Sequence, residues 1–165
     1  MNFGEPLILH EDRVRAEWVD EFDHMNLAFY VAVCDWGSYK FWELANAGRK
    51  LEDRDGMEYA IVETHVNYIR EVRLDDELIV ETQLLGFDEK RFHLFHTLRH
   101  AQQDFVSATN EVMGLGFNLN ARGIQAFTSE VQKKLAEIYE GQKTLPKPVN
   151  AGRSIALPAK KPIEY

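Results

Sequence analysis

The sequence predicts an α+β domain in which an antiparallel sheet wraps around one long helix. A run from Asn26 to Ala47 contains no proline, and its apolar residues have helical spacing. Four later segments, between Tyr59 and Asn118, alternate in polarity as strands do. The connections between these segments are short enough for antiparallel hairpins. A sheet that covers a largely apolar helix is therefore the predicted packing.

The first strand and the long helix come from the N-terminal third of the chain. His10 to Glu17 alternates loosely and predicts a strand, and Trp18 to His24 reads as a polar, aromatic loop. Asn26 is the predicted N-cap of the helix, because its side-chain oxygen can accept an early helix N–H; Gly48 is the predicted stop. Apolar or small residues recur within the helix at intervals of three and four: Tyr30, Val33, Cys34, Gly37, Phe41 and Leu44.

The remaining strands follow a period of two. They are predicted at Tyr59 to Ile69, Glu77 to Leu85, Arg91 to His100 and Phe105 to Asn118. In the first of these, strict alternation places five residues on one face: Ala60, Val62, Thr64, Val66 and Tyr68. The face of the sheet that points away from the helix must be polar or covered, which favours dimerisation.

The length indicates one compact domain, since the chain has 165 residues, of which 45% are hydrophobic. Residues 1–140 are predicted to form this single domain, which ends in an amphipathic helix over Thr128 to Glu140. Residues 141–165 are rich in proline, lysine and arginine. They are predicted to form an extended C-terminal arm on the surface.

Composition and charge exclude several classes of function. The net charge of −8 and the isoelectric point of about 5.2 repel phosphate backbones, so we expect no nucleic-acid partner. No stretch reaches the roughly 18 consecutive apolar residues of a membrane helix, so we expect no membrane partner. The N-terminus lacks the basic region of a secretory signal, and Cys34 is the single cysteine. A reducing, cytoplasmic location is therefore expected.

Two weaker signals do not predict chemistry. Cys34 lies in the middle of the predicted helix on its apolar face, which indicates a buried, inert thiol. His93, His96 and His100 would share one face of a helix and could then bind a metal. Their segment is predicted as a strand, in which His93 points away from the other two. We therefore expect neither a metal site nor a cofactor.

The most informative group of residues is Asp20-x-x-x-His24-x-Asn26, directly before the long helix. A helix start offers free N–H donors and a partial positive charge, which can hold a carbonyl oxygen as negative charge develops on it. Asp20 could then attack the carbonyl carbon or deprotonate a water molecule. The alternative is structural: Asp20 caps a turn, His24 packs beside Phe22, and Asn26 only caps the helix.

The element order and this segment together resemble a known family. One long helix inside a curled antiparallel sheet is the hotdog fold, and the segment from Glu17 to Asn26 resembles the signature of the 4-hydroxybenzoyl-CoA thioesterase type of hotdog protein. The resemblance implies that Asp20 is the catalytic carboxylate, as nucleophile or general base, and that His24 and Asn26 assist it. Asp23 stands where the family commonly has glycine, which puts the local loop geometry in doubt.

Other segments are similar to a narrower group, the thioesterases of carnitine breakdown that cleave betainyl-CoA. They are Glu63 to Tyr68, Arg91 to His96, Arg99 to His100, Ala108 to Glu111 and Ala151 to Pro158. This resemblance implies hydrolysis of a short acyl-CoA, with betainyl-CoA as the specific candidate. The family's active sites lie at dimer interfaces, so the resemblance also implies a homodimer or a dimer of dimers.

Betaine carries a quaternary ammonium group, which aromatic faces and carboxylates hold best. Four aromatic side chains are predicted to be available for it: Trp18, Tyr30, Trp36 and Tyr68. Three polar residues at the centre of a strand are candidates to meet Asp20 from a partner subunit: Glu63, Thr64 and His65. The alternatives are that the aromatic residues belong to the core and that the polar residues form a ladder between subunits without chemistry.

Two rival functions remain at this point. A hotdog hydratase would carry an Asp-x-Asn-Pro-x-His segment, but here Asp20 and His24 are four residues apart and the Asn-Pro pair is missing. A non-catalytic hotdog module that binds an acyl-CoA or a quaternary amine would not need the carboxylate of Asp20 beside a helix start. The sequence therefore favours the thioesterase.

Overall fold

The computed structural model describes residues 2–157 of the chain. Its main elements, in chain order, are β1 (Leu7–Arg13), α1 (Leu27–Ala45), β2 (Met57–Tyr68), β3 (Glu77–Phe87), β4 (Arg91–His100), β5 (Val106–Asn118), β6 (Gly123–Ile124) and α2 (Ser129–Gln142). Two short 3₁₀ turns lie at Ala16–Trp18 and Leu51–Asp53. Within the described residues, neither helix is long and apolar enough to cross a membrane.

The strands form one antiparallel sheet in the order β1-β3-β4-β5-β2, with β6 added beside β5. The helix α1 packs across the sheet, with Phe41 and Trp42 fully buried against Phe92. This arrangement confirms the predicted α+β class and the hotdog architecture, an antiparallel sheet wrapped around a central helix. β2 lies at one edge of the sheet, and its outer edge has no strand partner in the described part of the chain.

The close approach of α1 to the sheet depends on small residues in the middle of the helix. A Cβ atom on Gly37 would lie 2.8 Å from a methyl carbon of Val80, so a larger residue would push the helix away. Beside it, Ser38 Oγ lies 2.8 Å from His96 Nε2, and Thr82 Oγ1 lies 2.9 Å from His96 Nδ1. Both imidazole nitrogens of this buried histidine therefore have partners, as burial requires.

The first strand lies earlier in the chain than its prediction at His10–Glu17. β1 begins at Leu7 and ends at Arg13, because Val14 leaves the ladder and exchanges backbone hydrogen bonds with the turn at Asp75–Asp76. Ala16–Trp18 then turns as a 3₁₀ helix. The loose alternation beyond residue 13 therefore did not mark a strand. It arose because Val14 and Trp18 are buried while the residues between them are exposed.

A β-bulge changes the faces of β2. The register with β5 shifts between Ile61 and Glu63, so exposed Val62 is an extra residue. Tyr59 and Ile61 pack against the core, whereas beyond the bulge Thr64 takes the same side and donates to Asn110 Oδ1 at 2.5 Å. The prediction that Ala60 and Val62 share a face with Thr64 was therefore wrong, because one inserted residue reverses a period of two.

The second helix is longer than the predicted Thr128–Glu140. α2 continues to Gln142, whose buried side chain accepts from Leu84 N at 2.7 Å and donates to Glu5 O at 2.9 Å. These bonds tie the end of the helix to β3 and to the segment before β1, which are neighbours at one edge of the sheet, and the helix thus extends past the expected domain boundary. Residues 158–165 of the predicted arm lie outside the described residues.

Candidate active site

A cleft of about 380 Å³ opens where the loop before α1, the first turn of α1 and the segment after β2 meet. The loop and the helix contribute Asp20, Phe22, His24, Met25, Asn26, Leu27 and Tyr30. The end of β2 and the residues after it contribute Tyr68, Ile69, Arg70 and Glu71. The cleft thus brings together segments that are about forty residues apart in the sequence.

The loop before α1 is held by its own backbone. Val19 and Met25 form an isolated antiparallel bridge, and Asp20 N donates to His24 O at 3.1 Å. Asp23 N donates back to Asp20 O at 3.1 Å, and Asp23 has a positive φ of 64°. The loop is therefore a tight turn that presents the side chain of Asp20 to the cleft.

The carboxylate of Asp20 is oriented by the same turn. Its Oδ1 accepts from Phe22 N at 3.0 Å and lies 3.7 Å from His24 Nδ1, an ion-pair distance that is too long for a direct hydrogen bond. The side chain of Asp20 is 21% exposed and that of His24 33% exposed. Asp20 is therefore partly shielded by protein but remains open to a ligand in the cleft.

The helix start completes the polar side of the cleft. Asn26 Oδ1 accepts from Ala28 N at 3.1 Å, which confirms the predicted N-cap. Leu27 opens the helix and lines the cleft, and its N–H is one of the donors that a helix start leaves without an intrahelical partner. The side chain of Asn26 is thus used in the cap, and positive helix-end potential faces the same cavity as Asp20.

Two tyrosines form the aromatic wall. The rings of Tyr30 and Tyr68 meet edge to face, with centroids 5.3 Å apart. Tyr30 Oη accepts from Val72 N at 3.3 Å, and Tyr68 Oη donates to Leu27 O at 3.2 Å. Burial raises the pKa of both phenols, so both remain neutral at physiological pH. The wall is therefore uncharged and aromatic, with the ring of Tyr68 half-exposed and that of Tyr30 buried behind it.

The other predicted site residues lie elsewhere in the single chain. Trp18 is buried behind the loop, between the guanidinium of Arg15 at 4.5 Å and the ring of Phe29 at 5.4 Å. Trp36 is exposed halfway along α1, beside His10 and Tyr39.

The polar residues predicted at the centre of β2 also lie away from the cleft. Glu63 and His65 pair with Met113 and Glu111 on the outer face of the sheet. Thr64 faces α1 from the free edge, where it donates to Asn110. The structure therefore brings five of the predicted residues to one cleft, namely Asp20, His24, Asn26, Tyr30 and Tyr68. That the remaining predicted residues contact substrate stays a prediction, which concerns an assembly of two or more chains.

Val72, which no sequence pattern marked, connects the segments that form the cleft. Its carbonyl accepts from Met25 N at 2.8 Å, and its N–H donates to the hydroxyl of Tyr30. One buried residue therefore links the loop, the helix and the end of β2. It acts through its backbone, so no side-chain pattern could have predicted this role.

The histidines considered as metal ligands are separated by the sheet. His96 lies between Ser38 and Thr82 on the helix side, whereas His93 Nε2 meets Glu111 Oε1 at 2.6 Å on the outer face. Among residues 2–157, no three His, Cys, Asp or Glu side chains are grouped so that they could hold a metal ion.

Replacing Asp23 with glycine is expected to stabilise the loop. Asp23 adopts a left-handed φ of 64°, which costs a side chain more than it costs glycine. We expect Asp23→Gly to raise the free energy of unfolding by about 0.5–1 kcal/mol, measured by urea denaturation, with turnover unchanged. Glu21→Gly is the control, because it changes an exposed position of the same loop without a positive φ and should only destabilise. Destabilisation by Asp23→Gly would show that its side chain holds the turn.

Comparisons with known proteins identify the family of the chain. Residues 14–138 match the model of the thioesterase-like superfamily. A betainyl-CoA thioesterase of Pseudomonas aeruginosa is 32% identical, over 94% of this chain and 98% of its own length. An L-carnitine dehydrogenase/betainyl-CoA thioesterase of Rhizobium meliloti is 34% identical over 91% of this chain, which spans 30% of that longer protein.

The structural comparison extends the same relationship. A hypothetical protein of Staphylococcus aureus, solved in complex with CoA, superposes with a TM-score of 0.83 at 28% identity. The match covers 93% of this chain and 98% of that one. The family match includes the loop of Asp20, the helix α1 and the strands β2 to β6. The chain therefore belongs to the thioesterase-like superfamily and has its hotdog fold.

Proposed function

We propose that the chain is an acyl-CoA thioesterase whose substrate is betainyl-CoA, and that Asp20 is its catalytic carboxylate. The observation that carries the proposal is the position of a partly shielded carboxylate in the same cleft as the start of α1 and two tyrosine rings. The relatives named as betainyl-CoA thioesterases support the choice of acyl group.

The cleft supplies the groups that thioester hydrolysis requires. The carbonyl oxygen of the substrate would accept from the free N–H at the start of α1, where developing negative charge is stabilised. Asp20 would either attack the carbonyl carbon or take a proton from a water molecule that does so. Collapse of the tetrahedral intermediate breaks the C–S bond and expels the thiolate of CoA, which takes up a proton. When water is the attacking group, the acyl product is already the free acid. When Asp20 attacks, the acyl group stays on its carboxylate as an anhydride, and a water molecule then hydrolyses this anhydride and restores Asp20. The products are the free acid and CoA.

The fixed turn gives Asp20 a defined direction of approach. Phe22 N holds one carboxylate oxygen at 3.0 Å, which leaves the other free for the substrate or a water molecule. His24, whose Nδ1 lies 3.7 Å from Asp20 Oδ1, can position that water. Asn26 acts indirectly, because its side chain caps the helix whose first turn binds the carbonyl.

The aromatic wall fits the betaine group. The ammonium nitrogen of betaine lies two bonds from the carbonyl carbon, so a carbonyl bound at Leu27 places the charge within one helical turn of that residue. Tyr30 occupies this turn, and the ring of Tyr68 lies beside it. A quaternary ammonium cannot donate a hydrogen bond and is attracted by π-faces and by the charge of Asp20.

We also propose that two copies pair and act in the cytoplasm. The open edge of β2 offers unpaired backbone groups to the same edge of a second copy. Within such a pair, Trp36, Glu63, Thr64 and His65 are the residues that we predict to meet substrate from the partner subunit.

The proposal is tested by the release of free thiol from a panel of acyl-CoA substrates. We expect betainyl-CoA to be hydrolysed faster than tert-butylacetyl-CoA, in which carbon replaces the ammonium nitrogen at nearly the same shape. Equal rates would contradict recognition of the charge. Thermal stabilisation by CoA without thiol release from any substrate would instead identify a binding module.

Replacing Tyr68 separates charge recognition from catalysis. We expect Tyr68→Leu to raise KM for betainyl-CoA about threefold to tenfold, because a partly exposed cation–π contact is lost, and to leave KM for tert-butylacetyl-CoA nearly unchanged. Tyr68→Phe is the matched control, since it keeps the ring and loses only the hydrogen bond to Leu27 O. If both variants raise KM equally, the hydroxyl matters and the π-face does not.

A further inference from the structure

The C-terminal arm, which begins after α2 at residue 143, crosses the outer face of the sheet in its described part, residues 143–157. Pro146 O accepts from Gln83 of β3 at 3.5 Å. Further along, Gly152 N donates to Glu111 Oε2 of β5 at 2.7 Å, and Arg153 donates to Asn67 Oδ1 of β2 at 3.1 Å. The arm thus passes from the third strand of the chain to the edge strand.

The arm crosses the outer face along a line of residues that lie opposite one another on adjacent strands. Gln83, Phe95, Glu111 and His65 are register partners across β3, β4, β5 and β2. Gln83 and Phe95 are buried although they point away from α1. The arm therefore covers part of the face that was expected to be either polar or covered.

Beyond Arg153 the arm reaches the free edge of the sheet and presents apolar residues. Ile155 lines a cavity with Glu63 and His65 of the edge strand. Ile155 and Leu157 are nevertheless 92% and 94% exposed as whole residues. Ile155 beside the unpaired strand edge, and Leu157 two residues further on, are suited to burial by the chain that pairs with that edge.

Charge favours a second copy as that partner. The arm, residues 143–165, carries five Lys or Arg and one Glu, whereas residues 1–142 carry 14 Lys or Arg and 26 Asp or Glu. The body of each copy is therefore acidic and attracts the basic arm of the other. An interface with twofold symmetry would use this attraction twice.

We propose that the arm continues past the free edge of β2 onto a second copy of the chain, with Ile155 and Leu157 packed against the outer face of the partner subunit's sheet. This inference rests on the pairing through β2 proposed above. Each chain's arm then acts as a clasp that holds the two paired β2 strands together. On its own chain the arm is anchored by its hydrogen bonds to Glu111 and Asn67.

Photo-crosslinking between chains of different isotopic mass tests the path of the arm. A benzophenone maleimide would be attached through Leu157→Cys, since burial raises the pKa of the Cys34 thiol to about 12 and protects it from labelling. Labelled protein is mixed with ¹⁵N-enriched protein until subunits exchange, and is then irradiated. We expect crosslinked peptides that join a light and a heavy chain. Crosslinks confined to one chain would overturn the proposal.

Self-association measurements test the contribution of the two residues. We expect Ile155→Ser/Leu157→Ser to raise the dimer dissociation constant at least about tenfold by sedimentation velocity, because two apolar side chains per subunit lose their burial. Val149→Ser is the control, because Val149 is also fully exposed but lies where the arm still crosses its own sheet, between the contacts of Pro146 and Gly152. An unchanged constant in the double variant overturns the clasp and leaves the pairing through β2 intact. A monomeric unmodified protein would overturn both, whatever its thioesterase activity.

Discussion

Asp20→Asn is expected to lower kcat for thiol release from betainyl-CoA by about a thousandfold or more. Asparagine has nearly the same shape and can still accept from Phe22 N, so the turn should persist. It can neither attack a thioester carbon efficiently nor accept a proton from water, and the reaction then relies on the helix start alone. The measurement is the initial rate of thiol release over a range of substrate concentrations.

Glu71→Gln is the matched control for this experiment. Glu71 carries a carboxylate that lines the same cleft, but it is exposed and paired with Arg73 at 2.8 Å. We expect its neutralisation to change kcat by less than about threefold. Thermal stabilisation by CoA should survive in both variants, which would separate a loss of chemistry from a loss of binding. More than a tenth of normal turnover in Asp20→Asn would contradict the assigned role of Asp20.

The second large effect is expected in the acid stability of the fold. Burial lowers the pKa of His96 from its ordinary value of 6.5 to about 3. Above pH 6.5 the imidazole is neutral in both the folded and the unfolded chain, and its contribution to stability is fully present. Between pH 6.5 and 3 only the unfolded chain binds the proton. The free energy of unfolding should therefore fall by about 1.4 kcal/mol per pH unit from this group.

The variant His96→Gln removes the titrating imidazole, while the amide of the new glutamine can still reach Ser38 and Thr82. We expect this variant to be less stable than the unmodified chain at about pH 7.5, because two hydrogen bonds lose their geometry. Its free energy of unfolding should, however, depend less steeply on pH between about 6.5 and 4 in urea titrations. An identical slope in both proteins would show that other groups cause the acid loss of stability.

Local features of the chain determined the elements and the first half of the site. The intervals of three and four in α1 and the period of two in the strands follow from backbone geometry, which each segment carries by itself. The group Asp20, His24 and Asn26 was predictable for the same reason, since a short turn and its helix cap bring these residues together without distant contacts.

The structure alone decided what depends on register and on contacts between distant segments. The bulge at Val62 reverses the faces of β2, and no local signal marks an inserted residue. Tyr68 joins the cleft and Trp36 does not, although both are aromatic residues in a predicted strand or helix. Such outcomes follow from how strands pair across the whole sheet.

The fold class, the position of the long helix and the carboxylate at its start could thus be predicted from the residues, because these features depend on neighbours along the chain. Three other features became visible only in the folded chain: the aromatic wall of Tyr30 and Tyr68, the backbone contacts of Val72 and the path of the arm over Glu111. Each of these joins residues that are distant along the chain, and their meeting is fixed by packing rather than by local pattern.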